Sequence, residues 1–491
     1  MHYNNAARIS REVIIRIARG FSQKDLFRMI DRIPVDMVPK DEANIRCCIY
    51  KDRALIKYRC MAALGIPAED ETDEITPLSE YAQRTLSAPD PEMPLLTILH
   101  AACTSCRKSH FHITNACKGC AARPCTTVCP KGAVKVVHGQ AVIDSDSCVN
   151  CGKCRQICPY HAIVRIPVPC EESCPVQAIR DNEAGQKVID RQRCISCGRC
   201  IGSCPFGAVM ECSQMLPILR RLHGRGHVTA LAAPALYGQF GASWAQLEQA
   251  LLSIGFNEVI QVAQGAEEAI VHETDELYSR LSRKESFMTS SCCPSYIEAV
   301  NKHIPELKPF VSETPSPMIY SARRAKHQHP DTTVVFIGPC LAKRTEAARS
   351  EVVDFVMTFE ELGALFVAAE VFPPELEGSR DPRRNPSVDA QGFAVSGGVA
   401  GAIARAWNHH DIPLKPAVIQ HLDKKQITLL RQAVRGRYPG NFLEVMACEH
   451  GCAGGPCSLE KPETAEKKIT QRLSSTKQTL HRDARQELSP V

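Results

Sequence analysis

The 491-residue chain contains no run of eighteen consecutive apolar residues, so it offers no candidate for a helix that crosses a membrane. Its opening residues, MHYNNAARISREV, lack the basic, apolar and small-residue succession of an export leader, and the cytoplasm is the expected location. Glycine-rich phosphate loops of the P-loop or dinucleotide kind are missing, which excludes those ways of holding a nucleotide. A net charge of +5 spread over the whole length is a weak field without a concentrated basic stripe. It excludes the usual nucleic-acid footprint and favours at most an acidic electron carrier.

Cysteine is what abounds. The chain has 26, many at metal-ligand spacings in runs that end in Cys-Pro, the pattern of clusters held by reduced thiolates rather than of disulfides. With 44% apolar residues the length suffices for two or three domains with cores of their own. Residues 1–100 read as a helical region, with Ile9, Val13, Ile14 and Ile17 at helix spacing and acidic, proline-containing loops near Asp70 and Pro91. Its three cysteines, Cys47, Cys48 and Cys60, follow no cluster pattern and read as small buried hydrophobes on helices. Over 101–215 the composition shifts to short Cys-Pro units in which metal stands in for much of a core. Over 216–460 the pattern becomes mixed α/β around a single sizeable core. Strand-like runs at 227–233, 258–263, 334–338, 355–358 and 442–447 alternate with helical periods such as 244–254. The charged tail, 461–491, reads as a solvated helix or a frayed end.

Two adjacent units in the middle, Cys117-x2-Cys120-x4-Cys125-x3-Cys129-Pro130 and Cys148-x2-Cys151-x2-Cys154-x3-Cys158-Pro159, have the two-cluster ferredoxin layout. In that layout each unit gives three thiolates to one 4Fe-4S cubane and its last cysteine to the other. The rule assigns Cys117, Cys120, Cys125 and Cys158 to one cluster, and Cys148, Cys151, Cys154 and Cys129 to the second. A single tetrahedral zinc has no place for this third ligand and the Cys-Pro that follows. A third unit, Cys194-x2-Cys197-x2-Cys200-x3-Cys204-Pro205, follows a truncated partner, Cys170-x3-Cys174-Pro175, as though a ferredoxin module had been copied and then eroded. By the same swap Cys194, Cys197 and Cys200 take Cys174, which leaves Cys170 and Cys204 short of two ligands. The pair Cys103-x2-Cys106 offers them, for a fourth cluster; the alternative is that these two are ordinary thiols or bind another metal. Cys212 and Cys457 stay unassigned.

Three cysteine motifs remain, each directly after an apolar run: Ser290-Ser291-Cys292-Cys293-Pro294, Pro339-Cys340-Leu341-Ala342-Lys343-Arg344-Thr345-Glu346, and Glu444-Val445-Met446-Ala447-Cys448-Glu449-His450-Gly451-Cys452. Strand ends of an α/β fold converge on one crevice. Cys293, Cys340, Cys448 and Cys452 then make a full set for one more cubane, with Cys292 left beside it as either a packed hydrophobe or a proton donor.

These three segments resemble the signature motifs of FeFe (iron-only) hydrogenases, over about 216–456, and the region before them is similar to that family's N-terminal electron relay. The resemblance implies an α/β H-cluster domain preceded by α+β ferredoxin-like modules and an N-terminal helical region. It implies a cubane on Cys293, Cys340, Cys448 and Cys452, with Cys452 bridging to a di-iron subsite that carries carbon monoxide, cyanide and an azadithiolate. It makes Cys292 the thiol that exchanges a proton with the bridgehead amine, Lys343 the donor to a cyanide ligand, and Pro234 and Phe393 wall positions. The stretch 265–277 resembles the family's segment with two relay glutamates, which places them at Glu273 and Glu276, and Ser312 matches the relay serine between them. The expected activity is interconversion of H2 with protons and electrons. The expected partners are ferredoxin or a similar small carrier and the H-cluster maturation enzymes; three or four accessory 4Fe-4S clusters form the wire. Gly338, Met318 and Tyr296 depart from the family's usual Met, Gln and Trp, and Gly454-Gly455-Pro456-Cys457 replaces a longer loop. Two other classes compete. A hydrogen sensor is disfavoured because no PAS, kinase or phosphatase-like segment is visible; a non-catalytic iron–sulfur assembly relative is disfavoured by Cys292 and the complete Cys448-x3-Cys452 pair.

Overall fold

The computed structural model describes residues 5–41, 45–87, 95–103, 106, 110–378, 385–409 and 411–475. The loop expected near Pro91 and the tail beyond 475 lie outside them.

The C-terminal part is built on strands that follow one another in parallel: β1 (Val228–Ala232), β2 (Glu258–Gln261), β3 (Met288–Thr289), β4 (Thr333–Gly338), β5 (Phe355–Thr358), β6 (Pro416–Ile419) and β7 (Phe442–Val445). Strands β2-β1-β4-β5 form one parallel sheet and β3-β7-β6 a second. Parallel strands covered on both faces read as unbroken apolar runs rather than alternations. All residues of β1, β5 and β7 are accordingly buried. The run expected at 258–263 stops at Gln261, where the helix Val262–Ser282 starts, and β6, four residues opening on a proline and half exposed, was not among the expected strands.

The expected single core is divided. One cluster gathers Leu231, Val335 and Val356 of the four-stranded sheet with Ile17, Ile30 and Leu64 of the N-terminal helices. Two others, around Tyr296 with Leu443 and around Ile270 with Phe442, flank the short sheet. Two sheets with separate faces cannot share one interior. The helix Asn5–Ser22 buries Val13, Ile14 and Ile17, as its spacing demands, and its Arg11 pairs with Glu360 of the helix Phe359–Ala368. Of the three N-terminal cysteines only Cys60 is buried; Cys47 is exposed and Cys48 partly so, because both precede the helix Ile49–Ala63 instead of lying on its inner face. The charged tail is not a free helix either. Pro462–Ser475 buries Ala465 and Ile469, packs Ala465 against Gly238, and ties Glu466 to His450 Nδ1 at 2.7 Å.

The iron–sulfur region holds two modules of one plan. In the outer module strand His110–Ile113 pairs antiparallel with Ile163–Ile166, around a hairpin of Val134–Val137 with Gln140–Ile143 and the short helices Pro124–Thr127 and Lys153–Ile157. In the inner module Leu96–Ile98 pairs antiparallel with Val209–Glu211, around a hairpin of Ile179–Asp181 with Lys187–Ile189 and the helices Pro169–Ser173 and Arg199–Ser203. The inner module is therefore interrupted rather than eroded. Its first strand and the pair Cys103 and Cys106 lie upstream, and the whole outer module is spliced in between, entering and leaving at the paired residues His110 and Ile166.

Candidate metal centre and proton route

The strand ends place the three motifs together. Cys293 precedes the helix Pro294–His303 just beyond β3, Cys340 follows β4, and Cys448 follows β7, with Cys452 in the turn Gly451–Gly454. Burial, and after it the neighbouring sulfurs with Cys293 first, pushes Cys340 up to about 12 and Cys452 up to about 11. Cys448 is raised as well, by burial and then by Cys340, Cys293 and Cys452, with Cys197 of the inner module next in line. Buried thiols whose ionisation their own neighbours oppose form a site that a cationic cluster relieves.

The relay cysteines sort into sets the same way. One small cavity is lined by Cys117, Cys120, Cys125 and Cys158, a second by Cys129, Cys148, Cys151 and Cys154. Burial raises Cys200, and then Cys197, Cys194 and Cys174 do. A third cavity is lined by Cys103, Cys106, Cys170 and Cys204, where burial and then Cys204 and Cys103 push Cys170 up to about 12. Among the described residues no three of these sulfurs lie within 4.8 Å of one another. A tetrahedral zinc would hold them about 3.8 Å apart, so the wider sets suit a cubane. Cys212 and Cys457 are buried outside all five sets; Cys457 Sγ lies 3.8 Å from Glu211.

Around the motif cysteines the backbone is tightly fixed. Gly451 has φ +66°, and a Cβ there would come within 2.7 Å of Ser396 N, so this turn closes against the Ser396-Gly397-Gly398 loop only as glycine. Glu444, buried on β7, accepts from Gly397 N and Ala400 N at 2.8 Å each and anchors that loop. Phe393 is buried in the turn Gly392–Ala394, and Pro234 opens the turn after β1. Lys343 lies largely buried, its Nζ 2.7 Å from Glu346 Oε2, 3.1 Å from Ser316 Oγ and 3.4 Å from the Cys292 carbonyl. Gly338 has a physical reason: a Cβ there would fall 2.5 Å from the ring of Phe336, two residues back on the same face of β4. Phe336 occupies that space, and the Lys343 ammonium sits 5.8 Å from its ring centroid. Met318 and Tyr296 are both buried, the Tyr296 hydroxyl bonding Thr289 Oγ1 at 2.7 Å.

Glu273 and Glu276 lie one turn apart on the helix Val262–Ser282 and are driven in opposite directions. Burial, then the nearby Glu276 charge, pushes Glu273 up to about 8, against hydrogen bonds from Ser291 and Ser312. Glu276 also suffers burial, but Ser312 Oγ at 2.6 Å, Glu313 N, Thr314 and Arg280 at 2.7 Å outweigh it and hold this carboxylate below its usual range. Environments that push two carboxyls apart separate a proton-holding group from an anionic acceptor. The Cys292 thiol is raised by burial and then by Glu273. Beyond Ser312 opens a cavity of about 690 Å³ lined by Arg280, Ser312 and the exposed Glu313. The structure thus bonds Ser312 to Glu276 and sets Glu273 one helical turn away, its Oε1 buried without a hydrogen-bond partner. Sequence reasoning gave no role to Glu346, Arg280, Thr314 or Glu444; Glu346 and Glu444 stood inside the quoted motifs, and the i, i+3 spacing from Lys343 was the available signal for the first.

Comparison with known proteins agrees with this geometry. Residues 226–456 match the family described as iron only hydrogenase large subunit, C-terminal domain; 141–164 match a 4Fe-4S binding domain and 164–215 the LdpA Fe-S cluster-binding domain. The periplasmic [Fe] hydrogenase large subunit of Nitratidesulfovibrio vulgaris is 29% identical over 64% of this chain and 85% of its own length. Iron hydrogenase 1 of Clostridium pasteurianum is 24% identical over 48% of this chain and 52% of its own. The cytosolic iron-sulfur assembly component 3 of Mus musculus is 26% identical over 45% of this chain and 58% of its own. No helix among the described residues is long and apolar enough to cross a membrane. With cysteine motifs gathered at the ends of parallel strands and iron–sulfur modules preceding them, residues 226–456 of the chain form a domain of iron-only hydrogenase type.

Proposed function

We propose that this chain interconverts H2 with two protons and two electrons, and that its iron–sulfur modules pass the electrons to or from a ferredoxin or similar small carrier. The observation that carries the reading is the line Glu273–Ser312–Glu276, which runs between Cys292, beside four converging cysteines, and a surface cavity. An H-cluster, a cubane with a di-iron subsite carrying CO, CN and azadithiolate ligands, would supply when bound the iron and the basic amine that heterolytic hydrogen chemistry needs.

The chain's own residues do the rest. Cys293, Cys340, Cys448 and Cys452 hold the cluster, Cys452 as the bridge. Lys343, fixed by Glu346 and Ser316, presents positive charge to an anionic ligand in a water-poor site. Pro234 and Phe393 wall the pocket. Cys292 takes a proton at Sγ and hands it to Glu273, whose raised affinity lets it carry one near neutral pH; Ser312 Oγ–H, pointing at Glu276, completes the transfer. Electrons use the set Cys174, Cys194, Cys197 and Cys200, the neighbour of Cys448, then the set Cys103, Cys106, Cys170 and Cys204, then the two sets of the outer module.

Anaerobic maturation by the H-cluster maturation enzymes should give infrared CO and CN bands, and Cys292→Ala should keep them while turnover falls about 100-fold or more. Absence of the bands in the wild-type protein would favour a role like that named for the assembly component; bands with unimpaired Cys292→Ala turnover would send the protons by another route.

A further inference from the structure

Of the cysteine motifs, that of Cys340 follows β4 of the four-stranded sheet, and the other two follow β3 and β7 of the short sheet. At the N-terminal ends of the four-stranded sheet three other ligand residues meet. His227 immediately precedes β1, Glu258 opens β2, and His329 caps the helix Pro317–Gln328 just ahead of β4. One ligand atom from each lies within 4.8 Å of the other two. Strands of this length set the group about 15 Å from the motif cysteines, outside their chemistry.

We propose that His227, Glu258 and His329 bind a zinc-type divalent cation, with water in the fourth position. Two imidazoles and one carboxylate are a common donor set for zinc, and with both rings neutral they carry a single negative charge that a dication neutralises. Bonds of about 2.1 Å draw tetrahedral ligand atoms to about 3.4 Å apart, so small side-chain rotations close the set. The supporting shell is in place. Thr332 Oγ1 meets His227 Nδ1 at 2.8 Å, which turns the other ring nitrogen to the metal, and Thr332 in turn bonds Thr229 Oγ1 at 2.9 Å. Thr229 donates to Glu258 Oε2 at 3.4 Å, so two of the three ligands are joined by one hydrogen-bonded chain. The backbone is equally fixed: Thr333 N donates to His227 O at 2.8 Å, Asn257 N to Val228 O at 2.9 Å, and His329 N to Ala325 O at 2.9 Å. The His227 and His329 rings lie 4.2 Å apart between centroids, an approach that a shared cation makes useful and a second positive charge would oppose. The nearby Lys326 is occupied by Asp354 at 3.0 Å and the Thr332 carbonyl at 2.6 Å. Such an ion fastens the starts of two strands to the segment that leads into a third, and its role is structural.

Equilibrium dialysis of the iron-loaded full-length protein against micromolar free zinc chloride tests the site, with zinc and iron both counted by plasma mass spectrometry. The wild type should hold about one zinc more per chain than His329→Ala, at equal iron. Because His329 is exposed, that variant keeps its fold. Thr332→Val, which removes only the support, should bind about 10- to 100-fold more weakly. Equal zinc in wild type and His329→Ala, or no zinc retained by the wild type, would overturn the proposal.

Discussion

The outer and inner iron–sulfur modules share a strand pairing, a hairpin and two short helices, yet they differ in how the chain reaches them and in what surrounds them. The outer module, 110–166, is contiguous and lightly covered: Cys151 is exposed, and its few buried residues, Phe111, Val134, Cys154 and Ile163, form a cluster of their own. The inner module is assembled from two stretches and embedded. Cys204 packs with Leu55, Ala62 and Ile98, Arg59 donates from inside to the Gly207 carbonyl at 3.0 Å, and Arg199 reaches the Ala447 carbonyl at 2.6 Å beside Cys448. A cluster that accepts electrons from a diffusing partner needs access; one that feeds a buried centre needs close packing and a fixed position. Under the proposed function the contrast suits the outer module to the first task and the inner to the second.

The contrast is sharpest for single ligands. Cys170→Ser should remove about four irons and destabilise the whole chain, by about 3 kcal/mol or more, because Cys170 sits inside a buried cluster with Val168 and Ile179. Cys151→Ser should remove a similar amount of iron with little change in melting temperature; equal destabilisation by both would erase the distinction. Excision of 110–166, with a short glycine linker across the paired His110 and Ile166, should give a folded protein that has lost about eight irons and most reduction by an external carrier. Failure of the excised chain to fold would show that the outer module is no insertion. A smaller effect is expected at Lys187, a buried ammonium 2.5 Å from both Glu171 and Asp181 and lining the cavity of Cys103, Cys106, Cys170 and Cys204. Lys187→Met removes a positive charge that favours the reduced cluster, so the midpoint potential of one inner cluster should fall by tens of millivolts, on the scale of about 59 mV per tenfold change, in a redox titration. Smallest of all, the exposed pair Arg165 and Glu172 bridges the modules, and Arg165→Ala should shift stability by under about 0.5 kcal/mol in denaturant unfolding.

Much of this contrast was legible in cysteine spacing, because cluster ligands must recur at intervals set by the cubane and the turn that wraps it. The swap rule yields three relay sets and leaves Cys170 and Cys204 short of two ligands, which Cys103 and Cys106 could supply; in the structure three of these quartets each line one cavity, and Cys200 lies among the sulfurs of the other. The interruption was not legible. An upstream strand and a CxxC pair separated from their partner motif by a whole module carry no local sign of belonging to it. The tail helix was misjudged for a related reason: its charged composition hides the inward Ala465 and Ile469, two residues at helix spacing among Lys and Glu.

The sequence by itself determined the donor chemistry: which thiols exist, at what spacing, and beside which lysine, serine and glutamates, since covalent structure sets ligand type and local reach. Tertiary structure decided the rest. It brought Cys293, Cys340, Cys448 and Cys452 from three strand ends to one place, and set Glu273 and Glu276 on opposite sides of their ordinary proton affinity, through burial for one and a cage of donors for the other. It filled the space beside Gly338 with Phe336, and it joined His227, Glu258 and His329 from positions up to about a hundred residues apart. Proximity between distant segments and the loss of water around a charge are properties of packing, and neither is written in any short stretch of chain.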